Sequence, residues 1–503
     1  MSSLNSFSAS SEHVVNAAAS GAAVPLVYAQ HCFWFVAMTL GDTANNQSGI
    51  LIEGDLQPEL LEKALNCLIH RHSSLRMAFS HWTPVQQCRA FHGFDLSVIK
   101  LDGCGEEERR RRVSDISARF MAQPFALDKP PHLRAQLFQL QPQRYLLLLS
   151  MPHIIADGGA FHLFEQQLWQ VYSTLNAGRT PHDNQDATPI EQWVAQERVQ
   201  SDEALQAELA FWRQHLAGYR YAHFPLSLIN QRELIDHQCD IPLADSDMER
   251  IKQLARQHRM SVQMVLLAIV GQVVHQLSGE SRFALNSVLE GRNQPGSETL
   301  MAPQLRAMPV PMDFSRQPDL AALLEQVRQN VLQAYEHMHS WSLPIGILAR
   351  QRWSHSPRFL VTGIEWLSRL YCGIARKARL YPRFLADFLF MEPKPPRWWW
   401  ARDPAWRAKG VADPLININV LQDAFKTDAP QAQSATLAIR HCRESDYFTD
   451  ADIATRWESD TINIYITRGA DRQLKLHITC CCFNQDGMDR FLQLLRQQLS
   501  SLG

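Results

Sequence analysis

The sequence predicts an α/β protein in two halves of comparable size. Apolar runs of strand length alternate with helical apolar spacing along most of the chain. A polar stretch rich in Gly, Pro, Asp and Asn, Asn176–Thr188, reads as the linker between the halves. With 503 residues, each half is long enough to bury a substantial core. Two sandwiches facing one another fit this pattern.

The elements follow in order. Residues 1–22 are rich in Ser and Ala but lack the basic start and long apolar core of a secretory signal, and they read as a disordered tail. Gly49–Glu53 reads as a strand. Asp55 and Pro58 then open a helix whose Leu61, Ala64, Leu65 and Leu68 share one face. Gln136–Leu140 and the apolar run Tyr145–Ser150 read as strands. Past Gly159, helical spacing returns with Phe161, Phe164, Leu168, Val171 and Tyr172. Beyond the linker a helix runs through Phe211, Trp212 and Leu216. The second half, from about Asp236, has an apolar helix over Val262–Leu277, a strand at Phe283–Leu289 and an amphipathic helix over Leu320–His337. Two strands, Ile462–Ile466 and Leu474–Cys480, precede a last helix from Met488 to Leu499. The expected domains are residues 23–180 and 190–503.

Composition narrows the function classes. Apolar content of 46% and charged content of 20% are ordinary for a globular protein. A net charge of −2 gives no basic excess for a general nucleic-acid binder. No stretch reaches the roughly 18 uncharged apolar residues of a membrane span, so stable membrane insertion is not expected. The ten cysteines form no paired CxxC ligand pattern and read as reduced thiols of a cytoplasmic protein. Cys480, Cys481 and Cys482 lie in an apolar strand, as buried small hydrophobes.

The most informative stretch is Tyr145–Gly159, YLLLLSMPHIIADGG. A strand ending in a tight turn puts His153 on a loop, where an imidazole can reach a pocket from a fixed backbone. Histidine suits proton removal near neutral pH. The backbone N–H groups of Gly158 and Gly159, opening the next helix, are candidate donors to an oxyanion. No GxSxG elbow, Walker loop, GxGxxG or HExxH is present, and His153 lacks clustered partners at metal-ligand spacing. No metal is expected.

This stretch resembles the HHxxxDG core of the condensation domains of nonribosomal peptide synthetases, within the wider coenzyme-A-dependent acyltransferase superfamily. Further segments are similar to that family in the same order. They are LVYAQHCFW at Leu26–Trp34, RHSSLRMAF at Arg71–Phe79, PFALDKPPHLRAQL at Pro124–Leu137, Gly291-Arg292 with Gln294-Pro295-Gly296, and Leu343-Pro344. Two positions depart from the pattern: Pro152 stands where the family has the first His, and Arg306 where it has an asparagine. The proline fixes φ and stiffens the approach to His153. Both are candidate contacts to substrate or its tunnel.

The resemblance implies two chloramphenicol-acetyltransferase-like subdomains in a V, with His153 in the cleft as the catalytic residue. It implies that Asp157 faces away from substrate and pairs with an arginine, holding the loop together with Gly158. The LRMAF match nominates Arg76 as that partner. A triad in which Asp157 orients His153 is the competing reading. The implied reaction transfers an acyl group from a thioester to an amine or hydroxyl. The donor is the phosphopantetheine of an acyl or peptidyl carrier protein met in trans, or coenzyme A, and no other cofactor is expected. The acceptor is a small amine or alcohol. A free-standing, monomeric, cytoplasmic enzyme of natural-product biosynthesis, suited to chain release, is the expectation. Coenzyme-A-dependent O-acylation and a catalytically silent domain that recruits carrier proteins are the alternatives.

Arg350–Asp413 looks like an insertion, with thirteen Lys or Arg against five Asp or Glu and the run Trp398-Trp399-Trp400. It reads as a cap over the cleft, a docking face for an acidic carrier protein, or a membrane-surface segment.

Overall fold

A computed structural model describes residues 23–337, apart from short internal segments that include 38–44, 82–84, 182–186, 198–201 and 230–236. Past 337 it describes 415–420, 437–441, 461–468, 474–480 and 482–502. The N-terminal 22 residues, the pair Leu343-Pro344 and the basic stretch 350–413 lie outside the described residues.

The strands are β1 (Val24–Pro25), β2 (Asn45–Gly54), β3 (Met77–Phe79), β4 (Val85–Cys88), β5 (Ser97–Lys100), β6 (Arg134–Gln141), β7 (Arg144–Pro152) and β8 (His237–Pro242). They continue as β9 (Arg282–Glu290), β10 (Leu305–Asp313), β11 (Leu415–Val420), β12 (Leu437–His441), β13 (Thr461–Arg468) and β14 (Leu474–Cys480). The helices are α1 (Pro58–Arg71), α2 (Glu106–Ala122), α3 (Gly158–Asn176), α4 (Ile190–Glu197) and α5 (Asp202–His215). Further along come α6 (Asp245–Gln257), α7 (Val262–Ser278), α8 (Leu320–Tyr335) and α9 (Gln485–Ser500).

One five-stranded sheet has the order β12-β2-β7-β6-β5. Its strands carry apolar residues on both faces, because both faces are covered. Ile50, Ile52, Leu147 and Leu149 pack with Leu61, Leu65 and Leu68 of α1 and Phe164 and Leu168 of α3. Leu51, Leu146 and Leu148 pack instead with Val113 and Met121 of α2. This explains the run YLLLL in β7: a strand buried on two sides has no polar face to alternate with. A six-stranded sheet has the order β10-β9-β11-β13-β14-β8. Its core is organised by α7, whose Val265 to Val270 are buried in an unbroken row. Ser261 caps that helix by accepting the N–H of Met264, and Gly279 closes it in a left-handed conformation with φ 72°. Strands β1, β4 and β3 form a small third sheet.

Strand β12 departs from a simple division by sequence. It comes from the segment assigned to the C-terminal half, yet it pairs antiparallel with β2 as the edge of the five-stranded sheet. Strand β10, which contains Pro309 and Pro311, is absent from the sequence expectation. Both are accommodated because, among the described residues, β10 is the edge of its sheet, where alternate positions need no partner for an N–H. Among the described residues no single helix is long and apolar enough to cross a membrane.

Candidate active site

Strand β7 delivers the site. It ends at Pro152, which is buried, and the chain turns sharply: the Pro152 carbonyl accepts the N–H of Ile155 at 2.9 Å. His153 is the first residue of that turn. Its imidazole stacks on Phe33, with centroids 4.1 Å apart and planes 11° apart. Among the described residues, His153 Nδ1 is buried with no hydrogen-bond partner from another residue. The residue as a whole is half-buried, and Nε2 is not among the enclosed, unpartnered atoms. Burial lowers the His153 pKa below its ordinary value, and the Asp157 charge and the residue's own carbonyl oppose this only in part. The group is therefore a neutral imidazole at pH 7, the state that accepts a proton.

Asp157 has a different task. It is the N-cap of α3, accepting the Ala160 N–H on Oδ1 at 2.8 Å. Oδ1 also accepts from Arg292 Nη2 at 2.7 Å, and Oδ2 accepts the Gln304 N–H at 2.6 Å. The side chains of Asp157 and Arg292 are only 5% and 11% exposed, a buried pair rather than a surface one. Burial would raise the carboxyl pKa, but the Arg292 guanidinium and the two amides outweigh it and hold it below the usual carboxylate range. With both oxygens engaged elsewhere and no bond reaching His153 Nδ1, Asp157 does not orient the imidazole, and the triad reading fails.

Arg292 gathers the segment between β9 and β10 around this carboxylate. Its Nη1 donates to the carbonyls of Ser297 and Leu300, and its Nη2 also donates to that of Ala302, at 2.7–2.9 Å. A planar fork with five donors can serve one carboxylate and three carbonyls together. Gly291 beside it is required by close approach: its N–H donates to the Gln304 carbonyl, and a Cβ there would lie 2.2 Å from that oxygen. The junction thus ties the loop after β7 to the segment between β9 and β10.

Arg76 is not the partner of Asp157, contrary to the sequence expectation. Its guanidinium donates to the carbonyls of Ile69, His70 and Arg89, each at 3.2 Å. It closes the C-terminal end of α1, whose last carbonyls have no intrahelical donor. The arginine that neutralises Asp157 comes from the second half of the chain. The Gly291-Arg292 signature is visible in the sequence, but nothing local connects it to a residue 135 positions away.

The remaining candidates fall around this junction. Gly158 and Gly159 are the first residues of α3, where N–H groups lack intrahelical acceptors, and a Cβ at Gly158 would meet nothing within 4 Å. Arg306, at the start of β10, is buried at 8% exposure. Its Nη2 lies 3.5 Å from Glu197 Oε1, and its Nη1 donates to the carbonyls of Gln304 and Leu305. Glu197 Oε1 also accepts from Trp193 Nε1 at 3.2 Å, so the charge that replaces the family's asparagine is matched by a carboxylate from α4. Sequence reading gives no role to Asn46, whose amide donates to the Ala156 carbonyl, or to Gln30, whose amide donates to that of Ile154.

The family model described as the condensation domain matches residues 21–351. A linear gramicidin synthase of Brevibacillus parabrevis is 29% identical over 371 residues, covering 70% of this chain but only 5% of that protein. Phosphinothricin tripeptide synthetase of Streptomyces viridochromogenes is 27% identical over 325 residues, covering 63% of the chain and 27% of that protein. The chain thus spans a small part of the length of the curated relatives it matches. The X-domain complexed with OxyB from teicoplanin biosynthesis superposes with a TM-score of 0.67 at 17% identity, covering 95% of this chain and 93% of that one. The first condensation domain of the calcium-dependent antibiotic synthetase superposes with a TM-score of 0.63 at 17% identity, covering 95% and 97%. The fold is the condensation-domain fold of two chloramphenicol-acetyltransferase-like lobes, and the chain belongs to the condensation-domain family.

Proposed function

We propose that this condensation-domain protein is an acyltransferase that moves an acyl group from a carrier-protein thioester to an amine or hydroxyl acceptor, with His153 as proton acceptor. The observation that carries the reading is the setting of His153: an imidazole on a tight turn, stacked on Phe33, with Nδ1 enclosed and burial holding its pKa below the ordinary value. The acceptor's nitrogen or oxygen attacks the thioester carbonyl while its proton passes to Nε2. The new C–N or C–O bond forms, the C–S bond breaks, and the proton leaves with the thiolate as a thiol. Placing donor and acceptor in line supplies much of the acceleration. The Gly158 and Gly159 amides, at the positive end of α3, are the donors for the oxyanion. On this reading Pro152 and Arg306 are the candidate contacts to substrate.

For the carrier, an open groove lies where α6 meets α7, lined by Lys252, Arg256 and Arg259 beside Ser261 and Val262, with Arg256 also paired with Glu249. Such a cationic wall suits an acidic carrier or the phosphate of its arm, an attraction partly screened at physiological salt. The Lys252→Glu/Arg259→Glu variant should raise KM for an acyl carrier protein, leave kcat unchanged, and differ less from wild type as salt rises.

The donor class is tested by offering the full chain acyl-loaded carrier protein and the matching acyl-coenzyme A, with panels of amines and alcohols, and reading product by mass spectrometry. Product from the carrier alone supports the reading. Faster transfer from coenzyme A would replace it with O- or N-acylation from the free cofactor. No product from either donor, with carrier still retained on the protein, would favour a silent recruitment domain.

A further inference from the structure

Gln30 and Phe33 come from the opening Ala-Gln-aromatic segment, and both contact the turn that carries His153. Residues 29–31 and 33–34 are helical, and three-residue spacing sets these two side chains on one side. Gln30 is fully buried. Its Oε1 accepts the Val27 N–H at 3.0 Å and the Gln86 amide at 2.9 Å, while its Nε2 donates to the Ile154 carbonyl at 3.0 Å. Gln86 of β4 is itself anchored on the Pro25 carbonyl at 3.0 Å. With Oε1 committed twice as acceptor, the Gln30 amide cannot flip without losing all three bonds. Its donor end is therefore fixed on the residue next to His153. Phe33, 4% exposed, lies flat against the imidazole.

We propose that Gln30 and Phe33 are positioning residues for His153: Phe33 sets the plane of the imidazole and shields one face, and Gln30, locked by Gln86, fixes the peptide that follows. The ring is left one orientation, with Nδ1 enclosed. Among the described residues Asp157 is the charged group that acts on it, and neither positioning residue carries charge. The inference rests on the proposed proton-accepting role of His153, so its test reads the imidazole rather than the product.

Diethyl pyrocarbonate acylates only neutral imidazole. Its reaction with the His153 peptide, followed by mass spectrometry across about pH 4 to 8 in the full chain, gives a midpoint and a plateau rate. The wild-type midpoint should lie below the ordinary value of about 6.5. Phe33→Leu admits water to the ring face and should raise the midpoint. A rise of about half a unit would slow modification by up to roughly threefold at pH values well below the midpoint. Phe33→Tyr keeps the stack and should restore the wild-type profile. Gln30→Met keeps shape but releases Ile154, so the plateau rate should rise as the ring samples more exposed positions. If that variant does not fold, Gln86→Met frees the same amide with the Ile154 donor in place and should shift the plateau in the same sense by less. Folded Phe33→Leu and Gln30→Met or Gln86→Met proteins with wild-type midpoint and plateau would overturn the proposal. A wild-type chain inactive on every thioester would leave these profiles decisive while removing the acyltransfer reading.

Discussion

Asp157 and His153 sit four positions apart and have opposite roles, and their environments separate them. The carboxylate is saturated by one guanidinium and two backbone amides, whereas among the described residues the enclosed Nδ1 of the imidazole has no hydrogen-bond partner from another residue. Breaking a buried ion pair from one side leaves an uncompensated charge, at a cost of about 3–5 kcal/mol. Asp157→Ala and Arg292→Ala should each lose stability on that scale in chemical denaturation, and the double variant should cost much less than their sum. Asp157→Ala combined with Arg76→Ala should be additive, because Arg76 bonds carbonyls at the end of α1 and at Arg89. Coupling between Asp157 and Arg76, and none with Arg292, would contradict the assignment. The sequence makes His153 legible through its strand-to-turn context and the HxxxDG spacing. It points to the wrong arginine because the true partner lies 135 positions along the chain, and no local pattern encodes that distance.

Elements are legible where burial is one-sided or complete, and hidden where the local chemistry argues against them. Helices α1, α3 and α7 carry unambiguous apolar spacing, and strand β7 a continuous apolar run. Strand β10 contains two prolines and cannot be read from propensity; only its place at the sheet edge makes it permissible. Strand β12 is illegible for another reason: which sheet a short strand joins is a tertiary matter. The segment between β9 and β10 depends on Gly291, where the Gln304 carbonyl occupies the space of a Cβ. Gly291→Ala should therefore destabilise by about 1–3 kcal/mol through forced displacement. It should also displace Arg292, lowering turnover together with melting temperature. Wild-type stability in Gly291→Ala would mean that the two segments do not meet so closely.

At the scale of the whole molecule, buried histidines set the response to acid. His72 bonds Gln167, and His132 bonds the Met77 carbonyl, each at 2.6 Å in the core. Burial lowers both to about 4, against the raising effect of those bonds. A folded value below the unfolded one of about 6.5 means that the unfolded chain binds more protons between the two. Stability should then fall as pH drops from about 6.5 to about 4, by on the order of a few kcal/mol per residue. Asp157 adds to this only lower down, its stabilisation being complete above about pH 4 and lost as pH falls through its depressed value. Melting curves of wild type and of His132→Asn from neutral to mildly acidic pH check this, the variant being expected to show a shallower decline. An equal decline would place the acid sensitivity elsewhere.

The central claim is that Nε2 of His153 takes the acceptor's proton in an acyl transfer. Single-turnover transfer from an acyl-loaded carrier protein to an accepted amine or alcohol, compared between wild type and His153→Ala in the full chain, tests it most directly. Loss of roughly two to four orders of magnitude in rate, the range for a positioned acid–base group, is predicted, with melting temperature and circular dichroism unchanged. Turnover near the wild-type rate in the folded variant would contradict the account.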